Sequence, residues 1–189
     1  MDMAHIAIVG GGPAGLSAAL FLAKNGQDAT VFDTDGTWMH KAHLFNYLGV
    51  KTEDGSEFVE TAREQVDHFG AEQVEAEVTD VETTDDGFAV HAEETHEADY
   101  LILATGADRD LAEELGCAFG DDGTVSVDVS METSVADAYA TGAMVRAEEW
   151  QAVISAGDGA AAALNVLTKE EGEHFHDFDT PADADDHWT

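Results

Sequence analysis

An apolar strand that breaks into glycines and restarts at once as a helix leaves a chain few folds to choose from. Here Ile6-Ala7-Ile8-Val9 runs into Gly10-Gly11-Gly12-Pro13-Ala14-Gly15 and then into an apolar stretch from Leu16 to Ala23. Gly10, Gly12 and Gly15 have G-x-G-x-x-G spacing. The first glycine permits a tight turn, the second lets backbone approach a pyrophosphate, and the third lets helix pack closely on strand. Pro13 suits the first helical turn, where no N–H is needed and φ is already helical. The helix start then offers unpaired N–H groups and the positive end of its dipole to a phosphate. Alone the spacing is a weak signal.

The residues that follow strengthen it. A helix over 13–25 ends at Lys24-Asn25-Gly26. The β-rich run Ala29-Thr30-Val31-Phe32 then ends at Asp33, close to the distance expected for a carboxylate that binds a ribose after a second parallel strand. Residues 34–54 are irregular. Ser56 is expected to cap a helix to Phe69, since Phe58, Val59, Ala62, Val66 and Phe69 recur at helical spacing, and Gly70 ends it. Val74, Ala76, Val78 and Val81 alternate, Asp85-Asp86-Gly87 offers a hairpin turn, and Phe88, Val90 and Ala92 alternate again. These predict a small antiparallel ribbon.

Tyr100-Leu101-Ile102-Leu103-Ala104 is continuously apolar, as in a strand buried on both faces of a parallel sheet. Thr105-Gly106 at its carboxyl end are small enough for a ligand to approach the backbone. A helical turn over 111–115, short strands at 125–127 and 138–142, and an alanine-rich helix over 150–168 complete the pattern. The fold class predicted is α/β: a three-layer, Rossmann-like nucleotide-binding domain with a parallel sheet and a small antiparallel ribbon. One domain is expected over 1–170, followed by a poorly ordered acidic tail over 171–189 carrying His174, His176 and His187.

Charge narrows the function classes. The chain has 41 acidic and 7 basic residues, a formal net charge of −34, with acids spread along its whole length. Such a chain repels itself in dilute buffer, whereas at molar salt the Debye length falls to about 3 Å. A halophilic, high-salt cytoplasm is the expected setting. Nucleic acid and anionic membrane surfaces are poor partners for so few Lys and Arg. A single cysteine, Cys117, excludes an internal disulfide and a C-x-x-C pair. No apolar run reaches membrane-spanning length, and the start lacks a basic secretory leader, so a cytoplasmic location is expected. His40 and His43 are candidates for proton movement, with a structural role as the alternative. The tail histidines and aspartates have no metal-ligand spacing, and no metal site is assigned.

In order and spacing the segments VGGGPAG, Phe32-Asp33, FNYLG with DGSEFVETAREQVDHFGAE, YLILATGA, TVSVDVSMETSVADAYATGA and WQAVISAGDGAAAALN resemble the FAD-binding domain of thioredoxin reductase-like flavoproteins. The resemblance implies FAD as cofactor. It places Gly10, Gly11, Gly12, Pro13, Ala14 and Gly15 on the pyrophosphate and Asp33 on the adenosine ribose. Val78 would meet the adenine through its backbone, and Asn46 would lie against the flavin. Thr105, Gly106 and Gly142 would border the cofactor, and Gln151, Ala152 and Val153 would place backbone N–H groups near the flavin pyrimidine edge, where reduction builds negative charge. No residue is assigned a catalytic step.

The chain departs from that family pattern. Residues 107–123 stand where the family inserts a nicotinamide-binding domain with a second glycine fingerprint and a redox C-x-x-C. The family's T/A-G-D reads Thr141-Gly142-Ala143 here, removing a carboxylate from the ribityl and phosphate side of FAD. The expectation is a minimal FAD-dependent oxidoreductase that needs an external electron donor and acceptor, with a homodimer implied by family analogy. The alternatives left open are a non-catalytic, partner-dependent nucleotide-binding module and a protein that takes NAD(P) in the same turn.

Overall fold

The computed structural model describes residues 3–181 and 183. Strand β1 (His5–Val9) leads through the glycine turn into α1 (Pro13–Lys24) and β2 (Asp28–Asp33). A 3-10 turn (Trp38–Lys41) and a two-rung hairpin, β3 (His43–Leu44) with β4 (Glu53–Asp54), precede α2 (Gly55–His68). Then come β5 (Glu72–Glu75), β6 (Asp80–Thr83), β7 (Phe88–His91), β8 (Thr95–Ala98) and β9 (Tyr100–Leu103). A short α3 (Asp110–Glu114), β10 (Ala138–Ala140), a 3-10 turn (Gly142–Val145) and α4 (Ala152–Glu171) follow.

Five strands form a parallel sheet in the order β10-β9-β1-β2-β5, with β1 at its centre. Alternation along β1 sorts the core into two faces. Ile6 and Ile8 point into a cluster with Leu16, Leu22, Ala162 and Val166 of the helices. Ala7 and Val9 point into one with Val81, Phe88 and Val90 of the three-stranded antiparallel sheet β6-β7-β8. The domain is therefore helices, parallel sheet and antiparallel sheet in three layers, as the pattern predicts. Ile6, Ile8 and Ile102 are fully buried. A one-residue register slip would turn such side chains to the wrong layer, at a cost of about 1.5–3 kcal/mol for each one exposed.

Helix α4 lies against α1 without side chains between the backbones at their closest point. A Cβ built on Gly159 would stand 2.0 Å from the carbonyl oxygen of Ala14. The starts of both helices therefore face the same region, above the carboxyl ends of β1, β9 and β10.

Several local expectations need correction. Asp54 rather than Ser56 caps α2, its Oδ1 accepting from the Ser56 amide at 2.9 Å. The antiparallel layer has three strands, and Val74 belongs to β5 of the parallel sheet. Residues 125–127 form no strand; Val125 makes an isolated bridge to Phe119. Helix α4 begins at Ala152, so Trp150 precedes it. Past α4, Phe175 packs on the helical core cluster and Asp177 accepts from Lys24 Nζ at 2.6 Å, with Asp179 on the same ammonium. That stretch is tied to α1 where a solvated tail was expected. His187 lies outside the described residues.

Candidate functional site

A cleft of about 820 Å³ opens over the carboxyl ends of β1, β2 and β9. That is the edge where open α/β sheets bind ligands. Its floor is the glycine turn. Gly10 has φ +114°, and a Cβ there would meet the Ala104 carbonyl oxygen at 2.3 Å; one on Gly15 would meet the Gly10 carbonyl oxygen at 1.8 Å. Both glycines are demanded by the fold itself. Gly12 differs: its Cβ would meet only the Thr37 hydroxyl, at 3.3 Å, and would otherwise stand in the cleft. The space over Gly12, with the amides that open α1 beside it, is a cradle for an anionic group.

Gly11 has a role that spacing alone did not reveal. A Cβ on it would fall 2.3 Å from Asp33 Oδ2, so the bare glycine is what lets the Asp33 carboxylate lie against the turn. Arg63 of α2 donates to that same Oδ2 at 2.7 Å and to Asp35 Oδ1 at 2.7 Å. Asp33 is thus fixed from both sides. The Arg63 guanidinium, and after it the His40 ring, hold the Asp35 carboxyl below its ordinary value.

All but two of the sequence-predicted binding residues line the cleft: Gly10, Gly11, Gly12, Pro13, Ala14, Asp33, Asn46, Val78, Thr105, Gly106, Gly142, Gln151 and Ala152. Gly15 lies beneath the turn as a packing residue, and Val153 points outward, 40% exposed. Thr105 offers backbone, since its hydroxyl donates to the Asp108 carbonyl at 2.8 Å. Val78 lies in the bend between β5 and β6, at the end of the cleft bordered by Glu77, Thr79, Leu111 and Glu114.

The other end is built from side chains on two distant segments. Asn46 Nδ2 donates to Gln151 Oε1 at 2.7 Å, and the Trp38 and Trp150 rings meet at 5.4 Å between centroids, tilted 53°. Ala143 lines the cleft nearby and is almost fully buried. Its carbonyl and that of Met144 accept from Arg109, which fixes the turn after β10 through backbone. Trp38, Trp150, Thr37 and Ser155 also line the cleft. Ser155 stands near Gly142, where a Cβ would meet its hydroxyl at 3.3 Å. No periodicity could have announced Arg63 as a neighbour of the site, because it reaches Asp33 from a separate helix, 30 residues along the chain.

The remaining candidates divide. His43 lines the cleft with its Nε2 2.8 Å from the Thr52 hydroxyl. His40 is held between Asp35 and Ser56, at 2.8 and 2.9 Å, and is not among the residues that line the cleft. Cys117 is buried, and that burial pushes its thiol up against only a partial offset from Thr133. It is a core residue, far from thiolate reactivity. Among the described residues, Asp80, Glu82 and His91 bring ligand-type atoms within 4.8 Å of one another, but outside the cleft, where the β6–β7 register pairs Asp80 with His91. No described helix is long and apolar enough to cross a membrane.

Comparison with known proteins gives a consistent answer. The profile of the family described as "Pyridine nucleotide-disulphide oxidoreductase" matches residues 4–110 and 73–159. The thioredoxin reductase of Spironucleus barkhanus is 32% identical over 117 residues, covering 59% of this chain and 38% of that protein. The chain thus matches well under half the length of this relative. Among solved structures, a thioredoxin reductase from Gloeobacter violaceus superposes with TM-score 0.84 at 19% identity, covering 95% of this chain and 100% of that one. The Ferredoxin-Flavin Thioredoxin Reductase of Clostridium acetobutylicum superposes with TM-score 0.78 at 19% identity, covering 90% and 99%. At such identities the structural matches establish the fold alone.

Proposed function

The chain belongs to the pyridine nucleotide-disulphide oxidoreductase family, and from that membership we propose that it is an FAD-binding oxidoreductase of the thioredoxin reductase-like kind. On this reading it works without a nicotinamide site or redox disulfide of its own and exchanges electrons with external partners. The observation that carries the reading is the open cradle at Gly12, the one fingerprint glycine whose Cβ the protein itself would nearly tolerate. Space kept free there, beside a helix start, fits a pyrophosphate.

The residues fit FAD along the cleft. The Gly10–Gly12 turn and the α1 amides would hold the pyrophosphate, and Asp33, steadied by Arg63, the adenosine ribose. Val78 would offer backbone to the adenine. Asn46, Gln151 and Ala152 stand where the flavin ring is expected, and amides at the start of α4 would favour negative charge on its edge. Bound FAD supplies the electron-transfer chemistry; the protein binds, orients and sets the field. Residues 107–123 carry no second glycine fingerprint, which supports a single nucleotide site. The single buried Cys117 supports the lack of a disulfide cycle. The charge of −34 supports a working environment of molar salt.

Ala143 favours a second reading, a non-catalytic nucleotide-binding module, because the family's carboxylate at this position is absent. Protein purified in molar salt separates the two. Near-stoichiometric FAD released on denaturation, with anaerobic bleaching by a supplied reductant, is the expected result. Colourless protein that takes up no added FAD overturns it. Flavin that binds but no reductant bleaches moves the protein to the second reading.

A further inference from the structure

The acids that crowd this chain stop at one exposed place. Residues 36–52 contain no Asp or Glu, in a chain with 41 of them. The stretch 3–27 is equally free of acid but forms β1 and α1 and is largely buried. By contrast 36–52 is mostly surface, with Trp38 52%, Phe45 75% and Leu48 94% exposed. A second acid-free stretch, 150–157, faces it across the cleft mouth through the Asn46–Gln151 hydrogen bond and the Trp38–Trp150 contact. Acids resume at once on either side, at Asp35, Glu53, Glu148 and Glu149.

The cations tell the same story. Lys24, Arg63, Arg146 and Lys169 are each paired with carboxylates, and Arg109 is spent on carbonyls. Among the described residues only Lys41 and Lys51 are left unpaired, and both lie on this face. It is an apolar centre of aromatic and leucine side chains flanked by two free lysines, where the rest of the surface would repel any acidic protein.

We infer that this face docks a small acidic electron-carrier protein at the mouth of the cleft. Lys41 and Lys51 meet its carboxylates, and Phe45, Leu48, Trp38 and Trp150 form the buried centre. Molar salt screens the long-range repulsion between two acidic proteins, whereas lysine–carboxylate pairs closed and partly buried in the contact are screened much less. The partner assignment rests on the reading of the cleft as a flavin site. With FAD held in the cleft, each encounter would oxidise the carrier's centre by one electron, and two encounters with two solvent protons would supply the two-electron reduction of FAD to FADH2.

Lys41, Phe45, Leu48 and Lys51 do not line the cleft, so docking separates from cofactor uptake. The test measures, in molar potassium chloride, binding of a small acidic [2Fe–2S] protein to the intact chain, to Lys41→Glu/Lys51→Glu and to Leu48→Ser. A basic cytochrome c serves as the oppositely charged probe. The expected result is acidic-probe binding weakened roughly tenfold or more in the lysine double variant, with FAD content and circular dichroism unchanged and cytochrome binding no weaker. Absence of acidic-probe binding, or equal binding by all three proteins, overturns the proposal. A stable dimer that these substitutions dissociate assigns the face to a second copy and also overturns it. Failure to take up FAD overturns the proposed function, whereas the binding measurement reports on the docking face with or without flavin.

Discussion

The two ends of the cleft are built from different materials. At the glycine turn the walls are backbone: Gly10 against Ala104, Gly15 against Gly10, and Gly159 of α4 against Ala14. At the mouth they are side chains from segments more than a hundred residues apart, Asn46 with Gln151 and Trp38 with Trp150. A backbone wall has no rotamer to change, so one added methyl must move a helix. A side-chain wall can repack. The turn end is therefore fixed by backbone, whereas the mouth depends on the side chains of Trp38, Asn46, Trp150 and Gln151.

The largest effect should come from adding one carbon at the rigid end. Gly159→Ala puts a Cβ 2.0 Å from the Ala14 carbonyl oxygen and should cost about 2–3 kcal/mol in denaturant unfolding at molar salt. A cost near zero would mean that the α1–α4 contact is as adaptable as the mouth. Next, Asp33→Ala should weaken FAD binding roughly ten- to hundredfold by titration calorimetry, as expected for a lost charged hydrogen bond. Unchanged affinity would remove the ribose role.

At the mouth, Ala143→Asp should tighten FAD by up to about tenfold if it restores one or two hydrogen bonds. Looser binding would show that the surrounding turn has already closed over the missing carboxylate. Gly157→Ala lies on the same helix as Gly159 but meets nothing within 4 Å; it should stabilise by about 0.5–1 kcal/mol through helix propensity. The smallest effect concerns pH. Arg63 and His40 hold the folded Asp35 carboxyl below its unfolded value. Their contribution is present above about pH 4 and is lost as pH falls through the folded value. The stability gap between wild type and Arg63→Met should accordingly narrow on acidification below pH 4, and a gap that widens contradicts the assignment.

What could be read from the sequence follows the same division. The strand–turn–helix over His5–Lys24, the Asp33 that ends β2 and the doubly buried β9 each declare themselves through local periodicity and glycine spacing. The cap of α2 is ambiguous in the sequence because Asp54 and Ser56 are both capping residues on either side of Gly55, and only geometry chooses between them. Strand β5 pairs on one side only, so its half-exposed pattern imitates an antiparallel ribbon. Strand β8, Thr95–Ala98, has too little alternation to be seen. The Arg63 clamp on Asp33 and the Trp38–Trp150 pair depend on tertiary folding, which spacing does not encode.

The order of the sheet has one more consequence. β10 and α4 are made after the 107–123 connection, yet they seat beside β9 and on α1, which are made before it. The connection therefore hangs from a body whose two flanks already clasp each other. Severing the chain there would leave each piece with an open half of one core, and two such pieces made separately should find each other, as the halves of a split reporter do.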